Sequence, residues 1–288
     1  MIYNINGIMI NTVYGKTGDA LADAYSIDGI PLINHDVLRV LNYNVGQYYT
    51  GAGYPIPTAD KSAYSALQTG MFNAIDADVC VMQESPDAFC ADGTLADTFL
   101  GTWFSYIQTT RGTINYQAHK IATKNTPIAN YQSVDFVNAV GNYPGYEKGY
   151  ITVGGKTICL VNTHLSTTQS FQKAQAREIL DAVANEEYFI VCGDFNTVIH
   201  ALTDTDYTEI IKPFVDAGYN TANCGDFGIF PTYYRTSNPD DDYHPATDQI
   251  ITSANITIVG VYSDKTKLTD GLNDKIDHLP FYADLIIN

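Results

Sequence analysis

Short apolar runs that give way to polar residues recur along the chain. Residues 189–196 (Phe-Ile-Val-Cys-Gly-Asp-Phe-Asn) show the pattern most clearly: a buried strand is predicted, and Gly193 is expected to end it. Asp194 and Asn196 follow two apart, so in extended backbone both side chains point one way while Phe195 points into the core. A carboxylate and an amide at a buried strand end are costly without partners, so they either cap a turn or serve a site.

The same arrangement occurs at five other predicted strands. Some of these strands end in polar residues and others begin with them; the residues concerned are Asn44, Gln83-Glu84, Asn162-Thr163-His164, Asp248 and Asp277-His278. Polar groups carried on several rigid strand ends are how a fold builds a site. The recurrence therefore favours a functional site over a set of unrelated turns.

Hydrophobic periodicity predicts the elements between these ends. Helices are predicted at 58–77, 86–100, 166–185 and near 207–217. Strands are predicted at 38–45, 79–83, 102–109, 119–123, 134–139, 148–153, 156–163, 188–192, 247–251, 256–262 and 280–287. Strands outnumber helices, and the helices fall in separate places along the chain. This order predicts an α/β fold, a four-layer sandwich of two packed, mainly antiparallel sheets flanked by helices.

The first 35 residues follow a different rule. Tyr3, Tyr14 and Tyr25 are spaced by eleven, and Asn-Gly at 6–7 and Asp-Gly at 28–29 predict tight turns between apolar flanks. We therefore divide the chain into an N-terminal eleven-residue repeat segment, 1–35, and a main domain, 36–288. Three such small units bury little area alone, so we expect attachment or oligomerisation through them, the alternative being a decorative extension.

Composition and charge narrow the function classes. Hydrophobic residues make up 45% of the chain and aromatic residues 12%, as in a folded globule. The net charge of -17, from 15 basic and 32 acidic residues, argues against a general polyanion binder, although a metal ion can invert the field locally. We see no signal peptide and no apolar run of the roughly 18–20 residues that span a bilayer. A cytoplasmic or phage-particle location is expected.

The residue types at the strand ends indicate their chemistry. Glu84, Asp194, Asp277 and the amide oxygens of Asn44 and Asn196 are hard oxygen donors, which suit Mg²⁺ or Mn²⁺. His164 and His278 can take a proton from water near neutral pH or hold a phosphate oxygen as cations, and Asp248 can orient His278. No Cys/His cluster has zinc spacing, and no phosphate-binding loop with a following Lys exists.

Taken in order, these six motifs resemble the endonuclease/exonuclease/phosphatase superfamily, which includes deoxyribonuclease I, neutral sphingomyelinases and inositol polyphosphate phosphatases. The resemblance covers residues 36–288 and implies the same four-layer sandwich and hydrolysis of phosphoesters. The N-terminal repeats resemble, more weakly, short repeats of phage tail-associated and gut-bacterial surface proteins.

The resemblance also implies a role for each matching residue. Glu84 would hold the metal ion with Asn44 and Asp277 nearby, Asp194 would orient or deprotonate the attacking water, and Asn196 would contact the phosphate. Asp248 and His278 would form an acid–base pair, and His164 would face the phosphate. The chain departs from the family at Ile276, where Ser is frequent, and around Gln117, where no acid stands to partner His164. Arg111 could supply positive charge to the phosphate instead, or lie on the surface.

Three functions stay open at this point. A nuclease is favoured; the alternatives are a lipid or small-molecule phosphodiesterase or phosphatase, and a non-catalytic attachment protein that keeps the fold. Aromatic loop residues expected to rim the site could stack on unpaired bases or a sugar, or enter a lipid interface. These residues are Tyr48, Tyr49, Tyr54, Tyr143, Tyr146, Tyr233 and Tyr234.

Overall fold

The computed structural model describes most of the main domain and four short strands before it. Besides those strands it covers residues 37–45, 70–85, 104–107, 118–124, 126–140, 143–233, 245–263 and 278–288. The chain divides into two units, Met1–Val37 and Leu38–Asn288.

The N-terminal unit contains two short antiparallel strand pairs. Strand β1 (Ile2–Ile5) pairs with β2 (Ile8–Asn11), and β3 (Ser26–Ile27) pairs with β4 (Ile30–Pro31). The pairs flank the Asn-Gly and Asp-Gly dipeptides, where turns between apolar flanks are predicted; the dipeptides themselves lie outside the described residues. The middle repeat lies outside the described residues, and the role of the segment stays a prediction.

The second unit is built on two six-stranded sheets. The first has the order β13–β14–β12–β11–β10–β9, and only β11 and β12 pair in parallel. Its strands are β9 (Ala129–Val140), β10 (Tyr143–Val153), β11 (Lys156–His164), β12 (Phe189–Asp194), β13 (Asn220–Thr221) and β14 (Asp248–Thr252).

The second sheet has the order β15–β16–β5–β6–β8–β7. Strands β5 and β6 are parallel, and the pairs β6–β8, β7–β8 and β15–β16 are antiparallel. Its strands are β5 (Val37–Asn44), β6 (Val79–Ser85), β7 (Phe104–Ile107), β8 (Ala118–Thr123), β15 (Ile256–Ser263) and β16 (Phe281–Ile287).

Helices cover the outer face of each sheet. The long helix Gln169–Val183 buries Ala176, Ile179 and Val183 against the first sheet, and helical residues 70–75 pack on the second. A π-helical turn, Tyr207–Ile211, leads into the short helix Lys212–Asp216. The predicted four-layer sandwich of mainly antiparallel sheets is confirmed. Among the described residues, no helix has the length and apolar character needed to span a membrane.

The space between the sheets changes from apolar to polar along the strands. Its apolar part is a cluster that includes Val40, Val81, Ile121, Leu160 and Ile190. Side chains on one face of a strand recur every second residue, so the apolar residues of this cluster identify which further residues of the same strands also point between the sheets. Those positions are Asn42 and Asn44 on β5, Gln83 on β6, His119 on β8, Asn162 and His164 on β11, and Asp194 on β12, all of them buried.

Several elements differ from the sequence expectations. Strands β9 and β10 are longer than the predicted 134–139 and 148–153. Gly193 does not end β12: the strand continues through Asp194, and a side chain at Gly193 would place Cβ 2.3 Å from the carbonyl oxygen of Thr163. This glycine therefore permits the close approach of β11. The predicted helix 86–100 lies outside the described residues, as do residues 58–69 of the predicted helix 58–77.

Candidate active site

Three predicted residues stand in one row across the first sheet. His164 is paired with Asp194 in the β11–β12 ladder, and Asp194 is paired with Asp248 in the β12–β14 ladder. Because laterally paired residues face the same side of a sheet, all three side chains point into the space between the sheets. All three are buried. Strand pairing alone thus brings an imidazole and two carboxylates together.

Asp194 is the central group of this row. Its Oδ2 accepts a hydrogen bond from Asn44 Nδ2 at 3.0 Å, and it lies 3.3 Å from His164 Nε2 and 3.4 Å from His278 Nε2. Its Oδ1 accepts the backbone N–H of Asn196 at 2.8 Å. The Asp194 carboxylate therefore serves both purposes that the sequence left open, since it closes a turn and also faces the site.

This turn corrects one expectation about Asn196. The residue has a positive φ of 52°, so the backbone is not extended there and the two side chains do not simply point the same way. The side-chain amide of Asn196 donates to the carbonyl of Leu165 at 2.7 Å. Asn196 is half-buried beside Asp194, whereas Phe195 is buried in the core as predicted.

His278 and Asp248 are joined by a direct hydrogen bond. His278 Nδ1 donates to Asp248 Oδ2 at 2.8 Å, so its Nε2 faces Asp194. Asp248 is itself fixed, since Thr247 Oγ1 donates to Oδ2 at 3.0 Å and its backbone N–H donates to Thr232 Oγ1 at 2.9 Å. The predicted pairing of Asp248 with His278 is present in the structure as an oriented acid–imidazole pair.

The pKa values follow from these contacts. Burial raises the pKa of Asp194, but the positive charges of His278 and His164 outweigh it and hold the pKa well below its ordinary range. Burial lowers the pKa of His164, but the charge of Asp194 and the hydrogen bond to it reverse this and raise the pKa. For Asp248, burial raises the pKa while His278 opposes the rise. Asp194 is therefore ionised at neutral pH, and protonation of His164 is favoured.

A network of side-chain amides ties the two sheets together beneath the row. Gln83 Nε2 donates to Asn42 Oδ1 at 3.0 Å and to Asn162 Oδ1 at 2.8 Å. Asn42 Nδ2 donates to the carbonyl of Gly193 at 3.1 Å and to Asp248 Oδ1 at 3.3 Å. Sequence reasoning noted Gln83 and Asn162 as motif residues without assigning them roles, and it missed Asn42. Through Asn42 the network ties Asp248 and the backbone of Gly193 in the first sheet to the second sheet.

A second buried histidine, His119, lies beside His164, and the buried Glu147 approaches His119. The ring centroids of His119 and His164 are 6.2 Å apart, and His119 Nδ1 is 3.8 Å from Glu147 Oε1. Burial lowers the pKa of His119 to about 3, helped by the charge of His164. His119 and Glu147 belong to none of the six motifs in the sequence, although both continue the inward alternation of their strands.

The expected metal ligands are only partly described. Asn44 contacts Asp194, and the carboxylate of Glu84 contributes to raising the pKa of His164, which places it within electrostatic reach of the site. Glu84 has a positive φ of 52°, an uncommon conformation for a residue with a side chain, and strain of this kind is found at functional sites. Asp277 and Arg111 lie outside the described residues, and their assignments stay predictions.

The donor set suits a divalent cation. Ligand atoms of Asp194, Asp248 and His278 lie within 4.8 Å of one another, and Asp194 carries negative charge in a buried setting. Glu84 and the amide oxygen of Asn44 add hard oxygen donors of the kind that Mg²⁺ and Mn²⁺ prefer.

Within the described part of the chain, one aromatic residue predicted for the rim contacts the site, whereas Tyr48, Tyr49, Tyr54 and Tyr234 lie outside that part. The ring of Tyr233 packs edge-on against the imidazole of His278, with centroids 5.2 Å apart. Tyr146, which was also expected at the rim, is instead buried against Phe136 under the long helix. The difference follows from the length of β10, which carries Tyr146 into the sheet, where its side chain lies on the outer face.

Comparisons with known proteins give a match in structure. No protein-family model matches the chain, and no curated protein matches it. It is similar to an endonuclease/exonuclease/phosphatase protein from Beutenbergia cavernae, with 18% identity and a TM-score of 0.67 over 88% of this chain and 72% of that one.

Two other similar structures differ in what they act on. One is TDP2 of D. rerio complexed with single-strand DNA product, at 15% identity and TM-score 0.65, covering 86% of this chain and 98% of that chain. The other is a mannosyl-6-phosphatase of Bacteroides thetaiotaomicron, at 13% identity and TM-score 0.62, covering 86% and 99%. At these identities the likeness establishes the fold.

Proposed function

We propose, from the fold that this chain shares with endonuclease/exonuclease/phosphatase proteins, that it is a divalent-metal-dependent phosphodiester hydrolase. The observation that carries the proposal is the arrangement around Asp194. One buried, ionised carboxylate faces two imidazoles, and one of those imidazoles is oriented by a second carboxylate through a 2.8 Å hydrogen bond. A binding protein has no need of an oriented acid–imidazole pair beside a second charged carboxylate, whereas proton transfer does.

The side chains divide the work as follows. Asp194 orients a water molecule for attack on phosphorus as its hydrogen-bond acceptor, since the lowered pKa of Asp194 makes this carboxylate a weak base. His278, held by Asp248, faces the same position through Nε2 and exchanges a proton with the reacting oxygens. His164, whose pKa is raised by Asp194, contributes positive charge toward a phosphate oxygen.

Glu84 and Asn44 are the described residues that would hold the cation, with Asp277 as a further ligand by the family resemblance. A bound Mg²⁺ or Mn²⁺ would neutralise charge on the phosphate and make the attacking water more acidic. The net charge of -17 repels a negatively charged phosphodiester. A bound cation would supply the positive charge that the site needs to bind one.

For the substrate we propose nucleic acid contacted over a short length. Tyr233 presents an aromatic ring at the site beside His278, and base–aromatic stacking contributes about 1–3 kcal/mol per base regardless of sequence. A long duplex footprint would need many phosphate-neutralising cations, and the chain has 15 basic residues against 32 acids. We therefore expect weak sequence preference and a salt dependence that reflects only a few phosphate contacts.

The acidic charge also supports a second candidate, a small-molecule or lipid phosphate ester. A substrate with one phosphate group needs only the local charge of the site, and one similar structure is a mannosyl-6-phosphatase. In this version the same side chains act on a smaller substrate, and Tyr233 would stack on a sugar ring. The third candidate is a non-catalytic attachment protein with this fold. The complete Asp194–His278–Asp248 arrangement disfavours it.

A substrate panel separates these candidates. Single-stranded oligonucleotide, supercoiled plasmid, mannose 6-phosphate and sphingomyelin vesicles are each incubated with the full chain and Mg²⁺, with excess chelator as a control. The Asp194→Asn variant shows which activity belongs to this site. Metal-dependent cleavage of oligonucleotide supports the nuclease; rapid turnover of sphingomyelin or mannose 6-phosphate without plasmid nicking would overturn it and leave the metal hydrolase standing.

A further inference from the structure

His119 is placed where an apolar residue would be expected. It lies on the inward face of β8, two positions from Ile121, which belongs to the apolar core between the sheets. The side chain is buried, and within the described residues neither ring nitrogen has a hydrogen-bond partner within normal distance. A buried imidazole without such partners costs stability that Leu or Phe at this position would not cost. The position therefore calls for a purpose beyond packing.

Glu147 approaches this ring from the neighbouring sheet. In the β10–β11 ladder it pairs with Asn162, which places its side chain on the same inward face. Its Oε2 lies 3.5 Å from Asn162 Nδ2, and its Oε1 lies 3.8 Å from His119 Nδ1. The distance of 3.8 Å between Glu147 Oε1 and His119 Nδ1 is somewhat longer than a normal hydrogen bond. Hydrogen bonds at catalytic sites are often long until substrate is bound. Glu147 is buried, so its carboxylate can meet only groups of the interior.

His164 is the group that these two residues can influence. Its Nε2 faces Asp194, and the ring of His119 lies against it with centroids 6.2 Å apart and planes inclined by 42°. The angle at which His164 meets Asp194 is therefore limited by where His119 sits. That position depends in turn on the acceptor available at its Nδ1. No acid stands near Gln117 in the sequence to orient His164, whereas Glu147 on β10 lies 3.8 Å from the ring of His119 beside it.

We propose that His119 and Glu147 form a buried positioning pair for His164. Glu147 accepts the Nδ1–H of neutral His119, which fixes the tautomer and the plane of that ring, and His119 then fixes the plane of His164 against Asp194. Neither residue touches the substrate. The role of His164 toward phosphate rests on the proposed function, whereas the tautomer of His119 and its contact with His164 do not.

The first test needs no activity and uses the wild-type chain. Long-range proton–nitrogen NMR correlations of histidine rings identify which nitrogen carries the proton. We expect His119 as the neutral Nδ1–H tautomer, with a nuclear Overhauser contact between its ring and that of His164. The Nε2–H tautomer, or no contact between the rings, would overturn the positioning pair whatever the enzyme hydrolyses.

The second test uses Glu147→Gln, with Glu187→Gln as a control that makes the same change on the exposed surface. Glu147→Gln should shift the ring resonances of both His119 and His164, and should lower kcat on bis(p-nitrophenyl) phosphate about tenfold with little change in KM, as expected for loss of an orienting partner. Glu187→Gln should leave both readouts unchanged. Folded Glu147→Gln with wild-type resonances would refute the proposal; shifted resonances without any hydrolysis by the wild type would refute only the proposed function.

Discussion

The burial of His119 predicts a specific acid sensitivity of the fold. The folded pKa of about 3 lies below the value of 6.5 for an exposed histidine, so the unfolded chain binds this proton first as the pH falls. The contribution of His119 to stability is therefore complete above the unfolded pKa and is lost as the pH falls through that window. Linkage gives a loss of about 2 kcal/mol between pH 7 and pH 5 from this one group.

The substitution His119→Gln removes the titrating group and keeps a polar side chain. Urea unfolding followed by circular dichroism at pH 7, 6 and 5 should show the wild type losing about 2 kcal/mol more than the variant over this range. The exposed His200→Gln is the matched control and should follow the wild type. If His119→Gln and the wild type lose stability in parallel, His119 is not a neutral buried imidazole, and the reasoning about its surroundings is wrong.

Three further outcomes follow from the site and the domain division. Asp248→Asn should lower kcat at least about 10²-fold, because His278 loses the negative charge that orients the ring and stabilises its protonated form; a folded variant with wild-type kcat would contradict this. Glu84→Gln should raise the Mg²⁺ concentration for half-maximal rate about tenfold, and an unchanged metal titration would remove Glu84 from the metal site. Deletion of residues 1–35 should leave the circular dichroism spectrum and turnover intact while changing oligomeric state or attachment; an insoluble or inactive product would move the domain boundary.

Much of the site could be predicted because polar residues interrupt strong apolar patterns. Asn44, His164 and Asp194 stand at the ends of strands that carry apolar inward residues before them, such as Val40, Leu160 and Ile190, and Asp248 begins a strand. Strand pairing then brings these side chains together, since the ends of neighbouring strands lie side by side. The sandwich was predictable for a related reason: alternating short strands and separate helices leave few ways to cover both sheets.

The sequence did not predict that His119 and Glu147 belong to the site, and the reason is physical. Strand β8 runs antiparallel to β6, and β10 runs antiparallel to β11, so His119 stands near the beginning of β8 and Glu147 stands before the middle of β10. The motifs that stand out in the sequence are mainly polar residues at the ends of strands. The amide network of Asn42, Gln83 and Asn162 was equally hidden, because its hydrogen bonds join strands that are far apart in sequence.

The most direct test of the central claim is cleavage of a fluorescent single-stranded oligonucleotide by the full chain, stripped of metal and then titrated with Mg²⁺, beside Asp194→Asn. We expect no cleavage in chelator, recovery on adding Mg²⁺ or Mn²⁺, and a rate at least about 10²-fold lower in the folded variant. Full turnover in excess chelator, or a wild-type rate from Asp194→Asn, would contradict a metal-dependent phosphodiester hydrolase built around Asp194.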